Sequence, residues 1–271
     1  MTLKETLSAT DLKFLELGGG SLAFPFGGER IDQVTVEVRE LGDDVVYFAV
    51  PLPEPGRFGR EGAYSNALRA SYTTNFIKAM AVKSGLAFAA ELPRAVVTPR
   101  VAEGVIRGLV YLADVKKKDL GDEEGCNERI VKCVLAQASL ISVDVAKTKR
   151  EVEAMFKAGG LEWSQPQDDS FVFKLDFAGT SLDVLIRTGD HAVSVILPMG
   201  GVKPVGDKKK YLGQLLDLNR VADVAKIGID GDGDVALLYE LPELLPDTIE
   251  KVKGQFLTLL AGVLTMHAGG E

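Results

Sequence analysis

The stretch KIGIDGDGDVALLYELP, residues 226–242, places three aspartates and two glycines between two apolar runs. An Asp-Gly step between such runs is a strong signal for a β-hairpin, because glycine supplies the positive φ that tight turns require. An EF-hand calcium loop would need glycine at its sixth position and glutamate at its twelfth, where this sequence has Val235 and Leu241. The glycine order also differs from the dinucleotide fingerprint, and a strand pattern follows instead of a helix. The sequence therefore predicts a hairpin, without a calcium or phosphate site.

The same hairpin pattern occurs a second time, nearer the N-terminus, in NFIKAMAVKSGLAFAAELP, residues 75–93. Its lysine, Lys78, lies 148 residues before Lys226, and its Glu-Leu-Pro ending lies 149 residues before the second one. Upstream, LGDDVVYFAVPLP at 41–53 parallels TGDHAVSVILPMG at 188–200 with a separation of 147. A separation that drifts so little along the chain indicates an internal duplication. The first copy keeps the turn glycine, Gly85, without the aspartates, which again favours a hairpin.

Each copy is predicted to contain a helix, a three-strand antiparallel meander, a helix, two strands and a closing helix. That order indicates an α+β fold of two tandem units, in which helices pack on an antiparallel sheet. The opening helix of the first copy is predicted over residues 3–17. Residues 127–157 form an almost unbroken helical pattern. We place a first, degenerate unit at 1–120, a helical linker at 121–145 and a second unit at 146–271.

Composition and charge restrict the classes of partner. The chain has 271 residues, 46% of them hydrophobic, with a net charge of −8 and a pI near 5.0. Nucleic acid is excluded as a main ligand, because phosphate binding needs a concentrated cationic surface. The longest apolar stretch, residues 256–266, is far below the roughly 20 residues that cross a bilayer, and residues 1–16 lack the pattern of a signal peptide. We expect a cytoplasmic protein, and we expect the lysine runs at 116–118 and 208–210 to be solvated.

The residues suited to chemistry are few and scattered. Cys126 and Cys133 lie seven positions apart on a predicted helix, about 10.5 Å along its axis, which is too far for a disulfide. They are expected to be buried thiols. The two histidines, His191 and His267, are expected to be exposed or incidental, and Trp163 is expected to serve packing. The paired carboxylates at 43–44 and 168–169 fall in predicted turns. The sequence predicts no catalytic residue, no metal ligand and no cofactor.

The second copy resembles the YbjN family of bacterial proteins, whose members share the fold of type III secretion chaperones. The matching features are an L-x-x-L-L-x-L-N-R helix at 212–220, the D-G-D turn, the E-L-P strand exit at 240–242 and a closing helix after Pro246. The first copy keeps only GLAFAAELP at 85–93 and its closing helix. The resemblance implies sensory-transduction regulators or chaperone-like adaptors, which bind extended segments of partner proteins, usually as dimers. It supplies no catalytic residue.

Two functional hypotheses follow from the sequence. The first is a non-enzymatic protein-binding module, chaperone-like or regulatory, that uses exposed apolar positions on a sheet face or in a groove. The loops at 53–64 and 200–210 differ most between the copies, so they either select partners or simply tolerate insertion. Two fused units are expected to form an internal pseudo-dimer, and a homodimer is also open. The second hypothesis is a small-ligand sensor or an enzyme with a cleft between the units.

Overall fold

The computed structural model describes residues 2–52, 61–83, 85–115, 122–177, 179–200 and 207–268. It confirms the α+β class, with two six-stranded antiparallel sheets and helices packed against each. The first part of the chain contains α1 (Leu3–Ser8), β1 (Leu15–Glu16), β2 (Leu22–Phe26), β3 (Val34–Leu41), β4 (Val45–Pro51), α2 (Glu61–Thr73), β5 (Ile77–Val82), β6 (Gly85–Pro93), α3 (Pro99–Ala113) and α4 (Glu123–Ala138). The second contains α5 (Val145–Gly159), β7 (Trp163–Gln167), β8 (Ser170–Phe177), β9 (Thr180–Thr188), β10 (Val193–Pro198), α6 (Lys208–Leu218), β11 (Lys226–Ile229), β12 (Val235–Leu241) and α7 (Thr248–Ala268).

The two sheets have the same topology. Their strand orders are β1-β2-β3-β4-β6-β5 and β7-β8-β9-β10-β12-β11. In each sheet the last hairpin adds to the side of the meander. Its second strand, β6 or β12, pairs with the meander, and its first strand, β5 or β11, forms the edge of the sheet. Two tandem units with one shared fold therefore account for the layout.

Each sheet has one more strand than the predicted three-strand meander and hairpin provide. The additional strands are β1 and β7, which lie at the outer edges of their sheets.

The predicted helix over residues 3–17 was wrong, because α1 ends at Ser8. The hydroxyl of Thr10 donates to the Leu7 carbonyl at 2.7 Å and accepts from the Leu12 N–H at 3.3 Å. Such side-chain bonds to the backbone compete with helical ones, so the chain leaves the helix there.

The helical pattern at 127–157 is also interrupted, between α4 and α5. The Asp144 carboxylate accepts from the Lys147 N–H at 2.9 Å and caps α5, while the Ser139 hydroxyl donates to the Ala136 carbonyl at the end of α4. Aspartate is preferred at the N-cap because its side chain accepts from backbone N–H groups that the first turn of a helix leaves unpaired. The domain limits at 120 and 145 stay predictions.

Helix α4 covers α3 of the first unit. A Cβ on Gly108 of α3 would lie 3.0 Å from the Cys133 sulfur, so the absence of a side chain permits this close packing. Cys126 and Cys133 are both buried free thiols, as predicted. Burial raises the pKa of Cys126 to about 11 and raises the pKa of Cys133 as well. Neither thiol is therefore a thiolate at neutral pH, which fits a packing role.

The Asp-Gly stretch forms the hairpin that the sequence predicts, joining β11 to β12. Oδ1 of Asp230 accepts from the N–H groups of Asp232 and Asp234, both at 2.9 Å. Gly233 has φ of 86°, in the left-handed region that favours glycine. The Asp230 side chain therefore stabilises the turn by accepting hydrogen bonds from its backbone.

Replacing Asp230 by alanine is expected to lower the free energy of unfolding by about 1–2 kcal/mol, since two turn hydrogen bonds are lost. Asp232 is exposed, so Asp232→Ala is the control and should change stability by less than about 0.5 kcal/mol. Urea denaturation measures both. Calcium should leave the wild-type midpoint unchanged, and a calcium-dependent rise would contradict the assignment of a plain hairpin.

Candidate functional site

The two units meet through their middle helices and last hairpins. Helix α2 of the first unit contacts β11 of the second, and α6 of the second contacts β5 of the first. The two helices also contact each other, with the Tyr64 ring against Gly213. Such reciprocity, in which one surface patch is used on both sides, characterises a two-fold related interface.

Two buried lysines make the reciprocity explicit. Lys226 of β11 binds Glu240 of its own unit at 2.7 Å and donates to the Thr74 carbonyl of the other unit at 2.6 Å. Lys78 of β5 binds Glu91 of its own unit and donates to the Ala222 carbonyl of the other. Each ammonium thus satisfies backbone carbonyls that follow the other unit's middle helix.

A second reciprocal element lies beside the lysines. The Asn219 side chain accepts from the Ile227 N–H at 2.5 Å and donates to the Ile227 carbonyl at 3.0 Å and, across the interface, to the Ala79 carbonyl at 2.9 Å. In the first unit the Ser71 hydroxyl accepts from the Ala79 N–H at 2.7 Å, in the equivalent place. We call this set of contacts the inter-unit joint; its side chains are Lys78, Glu91, Asn219, Lys226 and Glu240.

The joint is tightly packed and locally strained. A Cβ on Gly228 would lie 2.7 Å from backbone atoms of Tyr72, so α2 approaches β11 as closely as the backbones allow. Phe76 has φ of 65°, which is unusual for a bulky residue among those the structure describes and costs about 1–3 kcal/mol. Its N–H donates to Glu240 at 2.7 Å, which holds this conformation.

The charged groups of the joint are removed from water, and each ammonium contacts a carboxylate and backbone carbonyls. Lys78 and Lys226 are each 1% exposed. Burial lowers the pKa of both ammonium groups, and the attraction of Glu91 or Glu240 opposes that shift. Burial likewise raises the pKa of Glu91, opposed by Lys78. Carboxylate and carbonyl oxygens around each ammonium compensate for the lost water, so the pairs are structural and hold the units in register.

Above the joint, a cleft of about 360 Å³ opens between the units. One wall is the end of α2 and the other is the outer face of the second sheet. We call it the inter-unit cleft; its lining residues are Tyr72, Thr73, Asn75, Arg187, Gly189, Asp190, His191, Ala192, Ser194, Ile196, Leu238 and Glu240. The Ser194 hydroxyl donates to Glu240 at 3.4 Å. Polar groups from both units therefore converge on this cleft.

His191 lies in the turn between β9 and β10 of the second unit and is half-buried, not freely exposed. Its Nδ1 lies 2.8 Å from the Ile141 carbonyl, which can only accept, so Nδ1–H is the donor. The Val143 N–H donates to the Asp190 carbonyl at 2.8 Å, and the Ile141 side chain contacts Gly104 of α3. The segment before α5 thereby ties both units together, and His191 serves that tie.

At the position of the first sheet that is equivalent to Ser194 of the cleft, the side chain is aromatic. Tyr47 is the neighbour of Glu91 across the β4–β6 pair and of Arg39 across the β3–β4 pair. The Arg39 guanidinium lies 5.2 Å from the centre of the Tyr47 ring, within the range of a cation–π contact. Burial and the nearby charge of Glu91 raise the pKa of Tyr47 to about 12.

We expect the Tyr47 phenol to titrate near pH 12, well above the usual value near 10. As pH rises, the Tyr47 phenol loses its proton in the unfolded chain before it does so in the folded protein. The stability that the protonated phenol contributes is therefore fully present below pH 10 and is lost as pH rises towards 12. Alkaline titration of phenolate absorbance measures it. Tyr47→Phe should remove one late-titrating phenol, whereas removal of an ordinary one would contradict the assignment.

A second cavity, of about 580 Å³, lies between α5 and α7. It is an open and mainly apolar groove, with two carboxylates and one ammonium at its rim. We call it the α5–α7 groove; its lining residues are Glu151, Ala154, Met155, Ala158, Gly159, Leu161, Leu244, Leu245, Pro246, Ile249, Glu250 and Lys253. Ala154 and Ala158 are exposed, and Met155, Leu244 and Leu245 are half-buried. This surface leaves apolar side chains accessible to a partner.

The first unit closes the equivalent space. Its short helix α1 packs on α3 with Leu7 fully buried, and the Arg94 guanidinium donates to the Thr6 hydroxyl at 3.1 Å. In the second unit the longer helix α5 stands apart from the start of α7 and leaves the groove open. The groove is therefore a feature of one unit and not of the shared fold.

The remaining residues singled out in the sequence have structural surroundings. Trp163 on the edge strand β7 stacks on Phe156 with ring centres 5.7 Å apart, in agreement with a packing role. His267 lies in α7, is half-buried, and has its Nε2 3.1 Å from the Tyr211 hydroxyl. The exposed carboxylate of Asp168 pairs with Lys149 at 3.2 Å. Of the two variable loops, residues 53–60 and 201–206 lie outside the described residues.

Part of the outer face of the first sheet is covered. Met80, Ala87 and Ala89 on the outer face of its sheet are buried, and α6 of the other unit packs against β5 there. The sequence analysis raised a cleft between the units as a hypothesis, but the residues that line the two cavities could not be predicted from local patterns, because both cavities arise where elements distant in the chain meet.

Comparison with protein-family models and with curated protein sequences found no match. In the part of the chain that the structure describes, no group of three or more His, Cys, Asp or Glu side chains is placed to hold a metal ion. None of the described helices combines the length and apolar character that crossing a membrane requires.

Proposed function

We propose that the protein is a non-enzymatic binding module that holds a partner polypeptide in the α5–α7 groove. The joint makes the two units a single support in the manner of an internal pseudo-dimer, and the groove, of about 580 Å³, offers accessible apolar side chains. This proposal agrees with the chaperone-like or regulatory role that the YbjN resemblance implies.

The single observation that carries the proposal is the difference between the units. The space between the first and last helices is sealed in unit one by α1 and Arg94, and open in unit two. An open apolar groove between helices is suited to an amphipathic helix or a short apolar segment. Other exposed apolar side chains, such as Val131 and Leu135 on α4, line neither the groove nor the inter-unit cleft, and single exposed apolar residues are normal on a protein surface.

The rim determines the charge of the partner. Glu151 and Glu250 stand at the groove, each in an exposed pair, with Lys147 at 3.4 Å and with Lys253 at 3.5 Å, and the chain as a whole carries a net charge of −8. Complementary charge favours encounter and specificity. The segment bound is therefore apolar in its centre and flanked by lysine or arginine.

A pair of synthetic amphipathic helical peptides tests this proposal, one of leucine and lysine and one of leucine and glutamate. We expect the first to bind and the second not to bind, by fluorescence anisotropy. Ala158→Trp fills the groove and should reduce affinity at least about tenfold, which is about 1.4 kcal/mol. Ala261→Trp, on an exposed position of α7 outside the groove, is the matched control and should leave binding unchanged.

Binding that survives Ala158→Trp would show attraction to the acidic surface in general, and it would overturn the proposal. Binding of an apolar fluorescent dye in the groove without binding of the leucine–lysine peptide would also overturn it, in favour of a small apolar ligand. The inter-unit cleft, whose polar groups converge from both units, supports small-ligand binding as a second candidate function.

A further inference from the structure

The inter-unit cleft lies at a position where the two units differ by one side chain. In the first sheet, Tyr47 pairs with Arg39 on one side and Glu91 on the other. In the second, Ser194 pairs with Arg187 on one side and Glu240 on the other. The arginine and the glutamate are kept in both rows, and only the residue between them changes from tyrosine to serine.

In the first row the space above the sheet is filled from within the chain. The half-buried Tyr47 ring lies under the Arg39 guanidinium at 5.2 Å, beside the buried ion pair of Glu91 with Lys78. Aromatic side chains are large, burying about 150–250 Å² when enclosed, so the half-buried Tyr47 ring occupies the space beside Glu91 and beneath the exposed Arg39.

In the second row that ring is missing. The small Ser194 side chain reaches only Glu240, and the inter-unit cleft of about 360 Å³ opens over the row. The exposed Arg187 makes no ion pair with any of the described side chains. Tyr72 and Thr73 at the end of α2, together with Asn75 just after it, form the facing wall. The cleft thus keeps the arginine and glutamate that accommodate a phenol in the first unit, without the phenol.

We propose that the inter-unit cleft binds an aromatic ring that carries a hydrogen-bond donor, in the place that the Tyr47 ring fills in the first unit. The ring lies under the Arg187 guanidinium, and its donor faces the carboxylate of Glu240 or the hydroxyl of Ser194. The chemistry is that of a phenol or an indole, supplied either as a free small molecule or as an aromatic side chain of a polypeptide. This site is separate from the α5–α7 groove and does not depend on it.

Ligand-observed NMR with p-cresol as the probe tests the proposal, and cyclohexanol is the non-aromatic control of similar size. We expect one p-cresol site and markedly weaker binding of cyclohexanol. Arg187→Gln, at an exposed position that should not disturb folding, is expected to weaken p-cresol about 2–5-fold, the range of an exposed cation–π contact. Equal binding of both probes, or no binding of p-cresol, would overturn the proposal.

Two exchanges between the units supply the matched controls. Ser194→Tyr rebuilds the first row in the second unit and should abolish p-cresol binding while raising the melting temperature. Tyr47→Ser opens the first row and should create a second site, so that the stoichiometry rises from one to two. Retention of p-cresol binding in a folded Ser194→Tyr protein would overturn the assignment of this cleft.

A peptide with a single tyrosine between glycines distinguishes the two sources. If it binds and is displaced by p-cresol, the cleft accepts an aromatic side chain of a polypeptide. If only p-cresol binds, the cleft takes a free aromatic molecule. Either result supports an aromatic site, and neither bears on whether the leucine–lysine peptide binds in the α5–α7 groove.

Discussion

Lys226→Met is expected to lower the free energy of unfolding by about 3–5 kcal/mol, the usual cost of removing one partner from a buried ion pair. The substitution leaves Glu240, 5% exposed, without its cation and removes the donor to the Thr74 and Ile77 carbonyls of the other unit. Urea denaturation monitored by circular dichroism gives the value. Lys78→Met breaks the equivalent pair and should cost a similar amount.

The control for this prediction is an exposed pair of the same chemistry. Lys174 and Asp183 lie 2.5 Å apart on neighbouring strands, and both are more than half exposed. Lys174→Met should cost less than about 1 kcal/mol, because solvent screens such pairs. The double variant Lys226→Met/Glu240→Leu should be more stable than Lys226→Met alone, since it removes the unpaired buried charge. A cost below about 1 kcal/mol for Lys226→Met would show that the joint does not hold the units together.

Gly228→Ala is expected to destabilise the protein by about 2–3 kcal/mol, the cost of overpacking a site that cannot relax. The added Cβ would meet backbone atoms of Tyr72 at 2.7 Å, and a backbone cannot turn aside as a long side chain can. To avoid the clash, α2 must withdraw from β11. Amide hydrogen exchange at residues 72–77 should therefore accelerate along with the loss of stability.

Gly231, in the turn of the same hairpin, is the control. A Cβ there would meet nothing within 4 Å, so Gly231→Ala should change stability by less than about 0.5 kcal/mol. If the two alanine variants were equally stable, the close approach of the two units at Gly228 would be disproved.

Periodicity and turn chemistry were sufficient to predict the repeated unit, because they are local properties of the sequence. The Asp-Gly step between two apolar runs predicted the β11–β12 hairpin, in which Asp230 and Gly233 form the turn. The short strand β1 and the end of α1 were missed, since Thr10 stops the helix through its own side chain. The break between α4 and α5 had a signal, the capping residue Asp144, that the continuous apolar pattern obscured.

The joint and both cavities could not be predicted in the same way. The sequence paired Lys78 with Lys226 as equivalent positions, and a lysine within an apolar strand is itself unusual. What each ammonium binds depends on carbonyls about 150 residues away in the chain, and no local pattern encodes that contact. The cleft likewise forms only where α2 of one unit meets the sheet of the other.

The crossed lysines have a consequence for how the two halves could diverge after duplication. The lysine of each unit donates to backbone carbonyls of the other unit. Replacing either lysine therefore leaves carbonyls of the unmutated unit without their hydrogen-bond donor. The side chains of the joint are therefore constrained in both units at once, whereas residues outside the joint are not constrained by the other unit in this way. Substitutions outside the joint leave these contacts intact, so one unit can carry an open groove between its helices while the joint still holds the two units together.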